Sequence, residues 1–123
     1  MLSLPIAFLA AHLVGDFFFQ SDAMATRKSK HWGWLAIHCL AYTSAFVWWW
    51  NWKFLLATFV THFVTDAITS RATSALWFFV PSASGSGLYR YLEGPRRHYF
   101  FVVIGVDQFI HACTLAWTVR WVL

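Results

Sequence analysis

Polar side chains enter the long apolar blocks of this chain singly and at helical intervals. Residues 2–20 are broken only by Ser3, His12, Asp16 and the terminal Gln20. Residues 33–52, 54–70 and 99–119 form three further apolar blocks. A membrane-spanning helix needs about 20 mostly apolar residues, with a range of about 17–25. The pattern therefore predicts an all-α, antiparallel four-helix bundle integral to a membrane, occupying 1–123 as one transmembrane domain. Lys53 alone separates the second block from the third, so a tight helical hairpin is expected there. Residues 72–97 contain Pro81 and the Ser/Gly-rich stretch 82–87, which break helices. An interfacial loop is expected between the third and fourth helices, with a short amphipathic helix near Trp77.

Composition supports lipid as the solvent. The chain is 59% hydrophobic and only 11% charged, against roughly a quarter charged in soluble domains. The net charge of +4 is too small and too dispersed for nucleic acid, and no nucleic-acid partner is expected. Arg27, Lys28 and Lys30 lie in the first connection and Arg71, Arg90, Arg96 and Arg97 in the third; only Lys53 and Arg120 lie on the opposite side. The positive-inside rule then puts both termini outside and the first and third loops in the cytoplasm. Trp32 and Trp34 at one boundary, and Trp48, Trp49, Trp50, Trp52, Trp117 and Trp121 at the other, suit interfacial belts. Cys39 and Cys113 fall in apolar blocks and read as free thiols.

The candidate chemistry lies inside the blocks. Of five acidic residues, Asp16, Asp66 and Asp107 fall in predicted spans, as do His12, His38, His62 and His111 among six histidines. Ionisable groups within a bilayer are costly and are usually paired and functional. His12 and Asp16, His62 and Asp66, and Asp107 and His111 are each four residues apart, so each pair shares a helix face. At about 1.5 Å per residue, the pairs on the first and third spans come out roughly 6 and 12 Å from the cytoplasmic end. His38 comes out at roughly 8 Å, and the last pair at roughly 12–18 Å. Seven ligand-type side chains can thus meet in one layer.

Imidazole and carboxylate suit one or two divalent ions, zinc favoured, with manganese and iron as alternatives. Facing helices are a known way to build dinuclear sites, and two ions can activate water for displacement at phosphorus. Gln20 and Gln108 are candidates to orient the ligands. Arg90, Arg96 and Arg97 are candidates to attract an anionic headgroup. Thr61, Thr65 and Thr69 are expected to bond within or between helices, His31 and His98 to be solvated, and Asp22 to cap the next turn.

The residues HLVGDFFFQ at 12–20, His38, THFVTD at 61–66 and DQFIH at 107–111 resemble the bacterial and phage membrane family called domain of unknown function 3307. The likeness covers nearly the whole chain. More distantly, the layout is similar to the YdjM-type membrane-bound metal-dependent hydrolases. The resemblance implies a hydrolase; with the two-ion reading, the expectation is a bacterial inner-membrane enzyme acting on a phosphoester or lipid-linked substrate. Where members often carry a Lys soon after the third-span Asp, this chain has Ser70 and Arg71. Competing readings are a proton or ion conductor using the same His and Asp residues, a haem-binding bundle, and a non-catalytic metal-stabilised scaffold. A homo-oligomer is compatible with each.

Overall fold

The structure, a computed structural model, describes residues 5–78 and 95–123, the side chains at 22, 25, 26, 75–78 and 95–100 excepted. Helix α1, Ile6–Leu13, runs into one π-helical stretch, Val14–Phe18. The short α2 is Asp22–Arg27; α3 is Trp32–Ser44, α4 is Trp52–Phe78 and α5 is Pro95–Val122. The fold is all-α: four principal helices and α2, with no strand among the described residues. Helix α4 is central, packing against α3 and α5, while α3 also meets α2 and the π-stretch.

Helix ends follow local chemistry that block lengths conceal. Helix α3 stops at Ser44, short of residue 52, through tightened turns in which Ala45 N bonds Tyr42 O and Phe46 N bonds Thr43 O. Asn51 starts α4, its Oδ1 accepting from Lys53 N at 3.0 Å and Phe54 N at 3.3 Å. The hairpin is therefore made by residues 45–51 rather than at Lys53. Helix α4 continues to Phe78 because 71–78 holds neither Gly nor Pro, which corrects the expected loop start at 72 and absorbs the short helix near Trp77. Pro95 opens α5, a position where its missing N–H costs nothing. Ser21, not Asp22, caps α2, accepting from Met24 N at 3.3 Å. The loop reading for 79–94, with Arg90, and the side chains of Arg96, Arg97 and His98 lie outside the described residues.

The interior has two layers. Phe8, Tyr42, Phe46, Phe54 and Leu115 form an apolar cluster. Phe8 lies over Trp49 with centroids 4.3 Å apart and meets the edge of Phe54 at 5.9 Å. One helical turn from Phe8, Tyr42 and Leu115 stand His12, His38 and His111, and two turns from Phe54 stands His62. The polar layer is thus stacked directly on the aromatic one. Among the described residues, buried polar ones outnumber buried apolar ones, nine to seven, whereas Leu56, Val60, Val64 and Ile68 are exposed along the outer face of α4. Inside and outside are inverted relative to a water-soluble bundle.

Of the described helices, Phe101–Val122 is long and apolar enough to cross a membrane; Ile6–Phe18 is apolar but shorter. Cys39 is a buried free thiol and Cys113 an exposed one.

Candidate metal centre

Each principal helix delivers at least one side chain to the polar layer. Helix α4 presents Thr58, His62, Thr65 and Asp66, the buried stripe of a helix whose other face is apolar. Three of its threonines bond the preceding turn: Thr61 Oγ1 donates to Ala57 O, Thr65 to Thr61 O and Thr69 to Thr65 O, while Thr58 Oγ1 has no hydrogen-bond partner among the described residues. The three donating hydroxyls are occupied within the helix. Asp16 sits in the π-stretch, a feature often found at functional sites. Gly15 beside it lets the backbone come against α3: a Cβ there would lie 2.9 Å from Tyr42 O and 3.0 Å from Tyr42 Cδ2.

Four buried residues, Asp16, His38, His62 and Asp66, bring one donor atom each within 4.8 Å of one another. His38 Nε2 lies 3.2 Å from Asp16 Oδ1, 3.1 Å from Asp66 Oδ2 and 3.2 Å from His62 Nε2. His62 Nε2 lies 3.6 Å from Asp16 Oδ1 and 3.8 Å from Asp66 Oδ2. A ring nitrogen has one hydrogen or one lone pair, so His38 Nε2 cannot satisfy all these neighbours. The Nδ1 atoms of His38 and His62 have no hydrogen-bond partner among the described residues, leaving Nε2 as each ring's polar contact. Donors about 2.0–2.1 Å from a tetrahedral ion stand about 3.3–3.5 Å apart. The His–His and His–carboxylate spacings of 3.1–3.8 Å bracket that value, with all four atoms within 4.8 Å of one another.

A second group, Asp16, Asp107 and His111, shares Asp16 with the first. His111 Nδ1 donates to Asp107 O at 2.9 Å, which orients the ring and, in a neutral imidazole, leaves Nε2 as the lone-pair nitrogen. That Nε2 has no hydrogen-bond partner among the described residues and faces Asp66 Oδ1 at 3.4 Å. A proton or a cation between Nε2 and Asp66 Oδ1 is needed to make that contact favourable. Asp66 thus turns one oxygen to His38 and the other to His111, and Asp16 belongs to both groups.

His12 is placed differently from the other six predicted ligands. Gln108 Nε2 donates to Asp16 Oδ2 at 2.7 Å and to Asp107 Oδ2 at 3.2 Å, so its Oε1 accepts from His12 Nε2 at 2.9 Å. His12 Nδ1 then accepts from the Tyr42 hydroxyl at 3.0 Å. Both nitrogens are occupied, and His12 stands behind the donor groups. Gln108 thus bridges two carboxylates and His12. Gln20 Oε1 is buried without a hydrogen-bond partner among the described residues, and no contact places it at the centre.

Two residues at the site went unread in the sequence. Lys28, which looked like a topology determinant, reaches Asp66 Oδ2 at 2.8 Å and His38 Nε2 at 3.4 Å. No spacing rule points to it. Arg71 lies over Trp32 at 3.8 Å and bonds Ala67 O, so it does not stand in for a site lysine. Tyr42 bonds His12 and stacks on His62, with centroids 3.6 Å apart and planes 7° apart. Its four-residue spacing from His38 was the available signal.

Comparison with protein families finds a match over residues 4–122 to the model described as protein of unknown function, DUF3307. The chain belongs to the DUF3307 family. Comparisons with curated proteins and with solved structures give no match. In this DUF3307 protein the buried His and Asp groups can hold a metal ion.

Tyr42→Phe is expected to keep the stack on His62 while leaving His12 Nδ1 without its donor. Thermal unfolding in detergent is expected to show a loss of about 1–2 kcal/mol. An unchanged melting temperature would refute the hydrogen bond.

Proposed function

We propose that this chain is a membrane-embedded metal-binding protein and that its centre serves a hydrolase acting on a phosphoester or lipid-linked substrate. The convergence of His38 Nε2, His62 Nε2, Asp16 and Asp66 carries the metal reading. Burying polar atoms that do not satisfy one another costs about 1–3 kcal/mol each, and a bound cation would offset that cost directly. Two adjoining groups with a shared carboxylate suit two ions, with zinc the first candidate for nitrogen and oxygen donors.

The membrane reading is supported by the apolar span Phe101–Val122 and by the inverted packing. In that setting both termini lie outside and the Lys28 end faces the cytoplasm, by the charge asymmetry of the loops. Two ions held by Asp16, His38, His62, Asp66, Asp107 and His111 would supply Lewis-acid chemistry suited to displacement at phosphorus. The residues' part is to hold the donors in place: Gln108 orients Asp16 and Asp107, and Asp107 O orients the His111 ring. A proton-conducting reading fits less well. The polar network runs from Lys28 through Asp66, His38, Asp16 and Gln108 to His12, and then meets the Phe8, Phe46 and Phe54 cluster.

Elemental analysis of detergent-purified protein tests the proposal. The expected result is about one or two zinc, manganese or iron ions per chain, removed by a chelator. Protein that holds no metal after reconstitution overturns it. Metal without phosphate release from phosphomonoesters points instead to a scaffold.

A further inference from the structure

We infer that Lys28 is the residue that receives a phosphoryl anion at this centre, an inference that rests on the metal reading above. Its Nζ lies 2.8 Å from Asp66 Oδ2 and 3.4 Å from His38 Nε2, inside the contact shell of the four-donor group. The side chain is 15% exposed, against 2% for Asp66, so Lys28 forms the rim of the centre rather than its floor. It comes from the turn after α2, on the side away from the aromatic cluster. Neighbouring cations are engaged elsewhere: Arg27 lies over Trp34 at 5.5 Å and Arg71 over Trp32 at 3.8 Å.

Charge selects the ligand. Asp16, Asp66 and Asp107 bring three negative charges and Lys28 one positive. Two divalent ions would leave two positive charges uncompensated, matching a phosphate or phosphomonoester dianion. A cation seated in the four-donor group competes with the ammonium for Asp66 Oδ2, since like charges on one oxygen repel. The ammonium then stays tethered beside the centre with three rotatable donors free for phosphoryl oxygens. A flexible point charge of this kind is a common phosphate ligand.

The test titrates inorganic phosphate into the full-length, metal-loaded protein in neutral detergent, with metal content measured in every sample. Wild type is expected to bind phosphate only when loaded. K28M is expected to keep its metal and to lose phosphate affinity at least ~10-fold, the effect of one charge-assisted hydrogen bond. K28Q, which retains a polar contact to Asp66 without the charge, is expected to do the same, and K28R to retain most of the affinity. Micelles doped with phosphatidic acid form a second arm. Lys28-dependent preference for them identifies a lipid headgroup, and preference for free phosphate a soluble ligand; either supports the assignment. Full metal with unchanged phosphate binding in K28M and K28Q overturns it and leaves the metal centre standing. Loss of metal in both variants also overturns it, making Lys28 a support for Asp66. Wild type without metal removes both readings together.

Discussion

In Asp66→Asn protein, metal content is expected to fall to background, with an affinity loss of at least about 100-fold. Both carboxylate oxygens of Asp66 are committed: Oδ2 to Lys28 at 2.8 Å and His38 at 3.1 Å, Oδ1 to His111 at 3.4 Å. Asparagine keeps the shape and removes the charge, and one of its two positions becomes a donor aimed where a cation would sit. Lys28 is at the same time left beside the centre without its ion partner. Breaking such a pair by removing one member costs about 3–5 kcal/mol when fully buried, and less for a lysine that reaches solvent. Metal linkage provides a second readout. An ion present at one hundred times its Kd stabilises the folded protein by about 2.7 kcal/mol. Wild type is therefore expected to melt higher with metal than with chelator, and the variant to melt at the same temperature in both. A variant that kept the metal-dependent shift would remove Asp66 from the ligand set.

Gly15→Ala is expected to destabilise the protein by about 1–3 kcal/mol, as overpacking in a close contact does. Two effects oppose each other. Alanine is favoured over glycine in a helix by about 1 kcal/mol. Against this, the new Cβ would stand 2.9 Å from Tyr42 O and 3.2 Å from Tyr42 Cα, both backbone atoms that cannot rotate away. The steric cost wins, and separation of the two elements also displaces Asp16, a member of both donor groups, and Tyr42, which stacks on His62. Gly105→Ala is the control, because nothing among the described residues lies within 4 Å of its added Cβ. It is expected to be neutral or slightly stabilising. Melting in detergent separates the two variants, and equal melting temperatures would refute the close-contact argument.

Helical class and the identity of the chemistry-bearing residues were legible along the chain. Residues four apart lie on one helix face by geometry alone, so His62 with Asp66 and Asp107 with His111 announced themselves as pairs. The cost of placing such groups among apolar residues marked them as candidates for function. Helix lengths were less legible, because hydropathy does not register a cap: Asn51 starts α4 and tightened turns end α3 within one continuous apolar run. The family likeness was visible in the same motifs and matches residues 4–122.

What the tertiary structure decided was how partners are shared across helices. His12 and His111 looked equivalent in the sequence, each four residues from an aspartate. Gln108 and Tyr42 occupy both nitrogens of His12, whereas the Asp107 carbonyl takes only Nδ1 of His111 and leaves its Nε2 facing Asp66. Lys28 likewise became part of the centre only when the turn after α2 folded over Asp66. Periodicity along one helix fixes which face a side chain occupies. It carries no information about which atoms from other helices meet that face, and those atoms decide which nitrogens of a histidine are already hydrogen-bonded.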